Sequence, residues 1–120
     1  SRMTLVTSGN EDIIEQIKKQ LNKLIDVVKL LDLSDGPHIE REMMMVKVRA
    51  ERQGREEMKR LSDIFRANII DVTDVSYVIE LTGSSHKLDA FLRAVPEDHV
   101  LEVVRSGASG IARGPKGLSI

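Results

Sequence analysis

Hydrophobic and polar positions change their period several times along the chain. Residues 2–7 (Arg2, Met3, Thr4, Leu5, Val6, Thr7) alternate loosely and stop at Ser8-Gly9-Asn10, which predicts a short strand and a turn. A helical period follows. Ile13, Ile14, Ile17, Leu21, Leu24 and Ile25 fall on one stripe, and Lys18, Lys19, Asn22 and Lys23 on the other. Asn10 or Ser8 is positioned to cap this helix, and Glu11 and Asp12 place negative charge in its first turn, where the helix dipole favours it. Residues 27–33 are apolar on both faces and predict a well-buried strand, ended by Ser34-Asp35-Gly36-Pro37.

Beyond that cluster the pattern is fuller. Met44, Val46 and Val48 share one face of a strand, with Met45, Lys47 and Arg49 on the other. After a loop containing Gly54, a helix from about Arg55 carries Met58, Leu61, Ile64 and Phe65 on one stripe. Residues 69–73 and 77–82 predict two strands joined around Asp74. Ser84 or Ser85 caps a short helix bearing Leu88, Phe91 and Leu92, Pro96 ends it, and residues 100–105 form a last strand. Residues 40–106 thus predict strand-helix-strand-strand-helix-strand, the ferredoxin-like plan of a four-stranded sheet with two helices on one face. The first 33 residues predict strand-helix-strand, the closing half of a similar unit whose opening half lies outside this chain. The expected fold class is therefore α+β, with tandem ferredoxin-like (βαββαβ) units: a partial one over residues 1–36 and a complete one, with a basic tail, over 37–120. A half-unit of this length cannot bury both faces of its helix and sheet, so it is expected to lean on other surface.

Composition narrows the function. A hydrophobic content of 41% supports a packed core, while Tyr77, Phe65 and Phe91 are the whole aromatic set. With few aromatic platforms and a net charge of −1, nucleic acid is not an expected partner. The apolar runs fall short of the roughly 20 residues that cross a bilayer, so no membrane partner is expected and the cytoplasm is the default location. The absence of cysteine excludes disulfides and thiolate chemistry.

Catalytic chemistry has little support. His38, His86 and His99 are isolated and are expected to be surface histidines, since metal sites need convergent ligands. Ser106-Gly107-Ala108-Ser109-Gly110 lacks the strand-to-helix setting of a nucleophile elbow. Glu40/Glu42 and Glu56/Glu57 are expected to be solvated charge. The run Gly110-Ile111-Ala112-Arg113-Gly114-Pro115-Lys116-Gly117 is not a phosphate loop, because Pro115 removes an N–H and Gly117 offers no hydroxyl. It predicts a flexible, mildly basic peptide suited to docking. No catalytic, cofactor-binding or metal-ligating residue is expected; the expected partner contacts are Met45 on the exposed strand face and Arg105, Arg113 and Lys116 in the tail.

Several long segments resemble one family. Residues 16–27 (QIKKQLNKLIDV) resemble the late part of the regulatory ACT domain in the small subunit of acetolactate (acetohydroxyacid) synthase, and 40–48 (EREMMMVKV) the start of that family's second domain. Residues 77–83 (YVIELTG), 87–91 (KLDAF), 102–107 (EVVRSG) and 110–114 (GIARG) continue the match in order. The resemblance implies a non-catalytic regulatory subunit without a cofactor of its own, as a homodimer. It would bind and activate the thiamine-diphosphate-dependent large catalytic subunit and confer valine feedback inhibition in the synthesis of valine, leucine and isoleucine. The family's effector loop, of the Asn-x-x-Gly type, lies upstream of Ser1, so no valine-contacting residue carries over and this chain is not expected to sense valine by itself. The alternative, argued without the resemblance, is a stand-alone ACT-type small-molecule sensor regulating another metabolic enzyme. An enzyme of ferredoxin-like fold is disfavoured, because no acid, base or nucleophile pair is in view.

Overall fold

The computed structural model describes residues 2–24, 30–115 and 117. The chain divides into two units, Ser1–Ile39 with Gly110–Ile120, and Glu40–Ser109.

In the first unit, helix α1 spans Glu11–Asn22. Asn10 caps it as expected: its Oδ1 accepts the Ile13 N–H at 2.9 Å, satisfying one of the donors left open at a helix start. The apolar stripe is real but only half covered: Ile14, Ile17 and Leu21 are partly buried, Ile13 is exposed, and no residue of α1 is fully buried. Three expectations need correction. Residues 2–7 carry no strand: Arg2 Nη2 donates to the Gly110 carbonyl at 2.7 Å and Thr4 Oγ1 accepts the Gly110 N–H at 3.2 Å. Those side-chain bonds stand in place of a backbone ladder, and Met3, Leu5 and Val6 face solvent. The expected strand at 27–33 falls partly outside the described residues. Its described end turns into a 3-10 helix, Leu33–Asp35, because the Asp32 carboxylate accepts both the backbone N–H and the hydroxyl of Ser34. The tail is not open peptide throughout. Ser109–Ala112 form strand β5, which pairs with β1 (His38–Arg49), and the Arg113 N–H donates to the Pro37 carbonyl at 3.1 Å.

The second unit follows the expected order. After β1 come α2 (Gln53–Ile64), β2 (Asn68–Val72), β3 (Ser76–Gly83), α3 (Ser85–Ala94) and β4 (Val100–Arg105). The strands lie in the order β2-β3-β1-β4 with every pairing antiparallel. Met44 faces Leu81, Val46 faces Ile79 and Val48 faces Tyr77 across β1 and β3, so one pleat of each strand lines the core. Met58 from α2 and Leu88 and Phe91 from α3 close over them, all fully buried. Phe65 meets Phe91 edge-on, ring centroids 5.3 Å apart. Ile64 departs from the expected stripe and is exposed. It sits six residues after Met58, about 120° around the helix, whereas Leu61 and Phe65 stay near the Met58 meridian.

Two backbone sites carry strain. Arg52, at φ 52° and ψ −123°, precedes α2 in a turn closed by the Gly54 N–H on the Glu51 carbonyl. Arg66, at φ 57°, follows α2, and the Ala67 N–H reaches back to the Ser62 carbonyl in a Schellman-type stop usually built on glycine. Arg66→Gly is expected to stabilise the unit by about 0.5–1 kcal/mol, because glycine enters the left-handed region without the Cβ penalty. Thermal unfolding followed by circular dichroism checks this, and an unchanged or lower midpoint contradicts it.

Candidate functional site

Both helices of the second unit cover the core face of the sheet, and no described element of that unit covers the opposite face of β1, β3 and β4. Met43, Met45 and Lys47 on β1 alternate with the buried Met44, Val46 and Val48, so they point outward together. Register places Val78 and Glu102 beside Lys47, and Val104 beside Met45. Met45, Lys47, Val78, Glu102 and Val104 line a shallow depression of about 140 Å³. Lys47 Nζ lies 3.5 Å from Glu102 Oε2 at its rim, an exposed pair of little energetic weight. A second depression of about 140 Å³, in the first unit, is lined by residues that include Arg2, Leu31 and Ile111. Each is smaller than the roughly 300–1,000 Å³ typical of small-molecule pockets. What the second unit offers is a surface with a polarizable apolar centre and a charged rim, the chemistry of protein contact.

One end of this sheet is held by a charge cluster. Glu42, 7% exposed, receives Arg105 in a fork: Nε to Oε2 at 3.0 Å and Nη2 to Oε1 at 2.8 Å. The Gly107 N–H adds a bond to Oε2 at 3.1 Å, and Arg105 Nη1 reaches Asp89 Oδ1 at 2.7 Å. The Arg105 fork, with its hydrogen bonds and positive charge, is the largest influence holding the Glu42 carboxyl below its ordinary range, against the opposing effect of burial. The Asp89 carboxyl is lowered by the same guanidinium. Gly107 reaches the carboxylate from φ +81°, a conformation that suits glycine.

The residues singled out in the sequence are therefore dispersed. Met45 is half-buried in the outer-face depression. Arg105 ends β4 with its guanidinium between Glu42 and Asp89. Arg113 is exposed just after β5, and Lys116 lies outside the described residues. Glu42 corrects an expectation: it is not solvated charge but the buried centre of the cluster, because its even position on β1 puts it on the helix-facing side. Arg55 went unrecognised in the sequence. Its Nη1 donates to the carbonyls of Ala50, Thr73 and Asp74 at 2.8–3.0 Å and its guanidinium lies 4.9 Å from the Tyr77 ring centroid, tying two loops together. Among the described residues no three His, Asp or Glu side chains converge as metal ligands, and no helix is long and apolar enough to cross a membrane.

Comparison with known proteins identifies the setting of this surface. Residues 41–114 match the family model described as the small subunit of acetolactate synthase. The small subunit of acetolactate synthase isozyme 3 from Salmonella typhimurium is 51% identical over 97% of this chain and 72% of its own length. The Escherichia coli counterpart is 50% identical over the same shares. A crystal structure of the acetolactate synthase small subunit from Thermotoga maritima superposes with a TM-score of 0.79, covering 91% of this chain and 68% of that one at 38% identity. Similarity that runs the length of the chain, in sequence and in fold alike, places it in the family of acetolactate synthase small subunits.

Proposed function

We propose that this chain is a regulatory, non-catalytic subunit. It assembles as a homodimer, binds the thiamine-diphosphate-dependent large catalytic subunit of acetolactate synthase, and raises its activity in branched-chain amino-acid synthesis. The observation that carries the proposal is similarity to acetolactate synthase small subunits over 97% of the chain, joined to a charge-rimmed sheet face that no described element of the second unit covers, with no ligand-sized depression among those described. Residues 1–36 act as the closing half of an ACT domain, and 37–120 as the second ferredoxin-like domain with its tail. Valine is the effector of the holoenzyme. It acts by binding one state of the holoenzyme better than the other, which displaces the equilibrium by that difference in affinity. Met45, Arg113 and Lys116 supply partner contacts, with Arg105 fixing the end of the sheet that carries Met45.

Calorimetric titration of the chain into purified large subunit tests this reading. Saturable binding is expected, weakened about tenfold by Met45→Lys, since a cation replaces an apolar centre that must lose its water. No heat of binding for the unsubstituted chain, in conditions where the large subunit is folded and active, overturns it.

A further inference from the structure

We propose that β4 is a pairing edge: it joins β4 of a second copy in antiparallel register about Val103, so that two second units share one continuous sheet. This deepens the homodimer reading above and rests on it. β4 ends the strand order β2-β3-β1-β4, and no strand among the described residues pairs with its far side. The Ser106 N–H bonds the Met43 carbonyl on β1 at 3.0 Å. By the alternation of an antiparallel ladder, the N–H and C=O of Arg105 and Val103 then turn the other way, out of the sheet. A row of open backbone donors and acceptors recognises one kind of partner, another strand.

Edge protection is partial: the register slips against β1 beside Lys47 and Val48, and of the two charged side chains Arg105 is held by Glu42 and Asp89. β4 has neither proline nor lysine, and Glu102, its acidic residue, leans to Lys47. Val103 on the helix-facing side is 38% exposed, and Val104 on the opposite side is 47% exposed, so apolar surface is open on both faces of the edge. Ordinary solvent cover would leave one of these sides polar. A second β4 covers both at once.

Charge and length select the register. Pairing about Glu102 sets two carboxylates directly opposite, which is destabilising. Pairing about Val104 carries Glu102 past the strand end, opposite Ser106. Pairing about Val103 keeps residues 101–105 within the two strands, sets Glu102 against Val104 of the second copy, and opposes no like charges.

The chain contains no cysteine, so single introduced thiols report the axis cleanly. Val103→Cys, Val104→Cys and, on the opposite edge, Val72→Cys are each made in the full 120-residue chain and air-oxidised, with circular dichroism to confirm folding. On the axis, Cα atoms of a hydrogen-bonded pair stand about 5.5 Å apart, within disulfide range. Val103→Cys is expected to dimerise covalently at least about ten times faster than either other variant, because the paired strands raise the local thiol concentration. The unsubstituted chain is expected at about twice its 13.4 kDa by light scattering, with its Val103 amide protected from exchange. Equal rates at Val103 and Val72, or a faster rate at Val104, overturn the edge pairing and leave a dimer through other surface. A monomer by light scattering overturns both this inference and the homodimer reading. Protection of the Val103 amide only when the large subunit is added also overturns the pairing, assigning the edge to that partner.

Discussion

Arg105→Ala is expected to destabilise the second unit by about 3 kcal/mol, because removing the fork leaves the Glu42 carboxylate buried with only the Gly107 N–H and the long Ser85 contact to compensate it. The effect lies at the lower end for broken buried pairs, since the Arg105 side chain is 29% exposed. For a unit of this size, that corresponds to a midpoint lowered by roughly 12–24 °C. pH adds a sharper signature. Glu42 titrates below its unfolded value of about 4.3 when folded, so its contribution is complete above that pH and is lost as pH falls through the folded value. The gap between Arg105→Ala and the parent chain is therefore expected to be widest near neutrality and to close as pH drops below about 4. Thermal melts from pH 7 to pH 3 measure both parts. A gap that stays constant with pH would assign the loss to packing of the Arg105 stem instead.

Phe91→Ala is expected to cost more, about 4 kcal/mol, because Phe91 is fully buried and its removal takes away both its own transfer energy and the edge-on contact with Phe65. The other large side chains of this core, Met44, Met58, Ile79 and Leu88, are themselves fully buried and close-packed, so the void collapses only in part. Denaturant unfolding provides the number, and Phe91→Leu, which keeps most of the volume, is expected to lose only about 1 kcal/mol. A similar loss for both variants would show that the site tolerates a cavity and that the Phe65 contact, rather than volume, carries the energy.

These two sites differ in how far the sequence discloses them. Phe91 and Leu88 are legible, because helical spacing after a Ser84 cap leaves them one face, and Ser84 Oγ does accept the Lys87 N–H. Met44, Val46 and Val48 are legible for the same reason at period two. The Glu42–Arg105 fork is not, since 63 residues separate its partners and only the antiparallel register of β1 with β4 brings them together. The signal within reach was parity: Glu42 shares the face of Met44, and a carboxylate on a core face demands a partner. Arg55 was hidden because its acceptors are backbone carbonyls, which carry no residue-type signature. Loose alternation misled over residues 2–7. A strand needs a ladder as well as a pattern, and there the acceptors and donors at Gly110 meet side chains. The outer face was half legible: the alternation placed Met45 and Lys47 together, while Val78, Glu102 and Val104 join them only through register.

In the proposed function, this chain acts on a catalytic partner by binding it. Acetolactate formation by the purified large subunit, with thiamine diphosphate present, is to be followed as the chain is titrated in. The rate is expected to rise to a plateau at a fixed ratio of subunits, with no turnover by the chain alone. A rate unchanged at saturating chain, or turnover by the chain without the large subunit, would contradict the account.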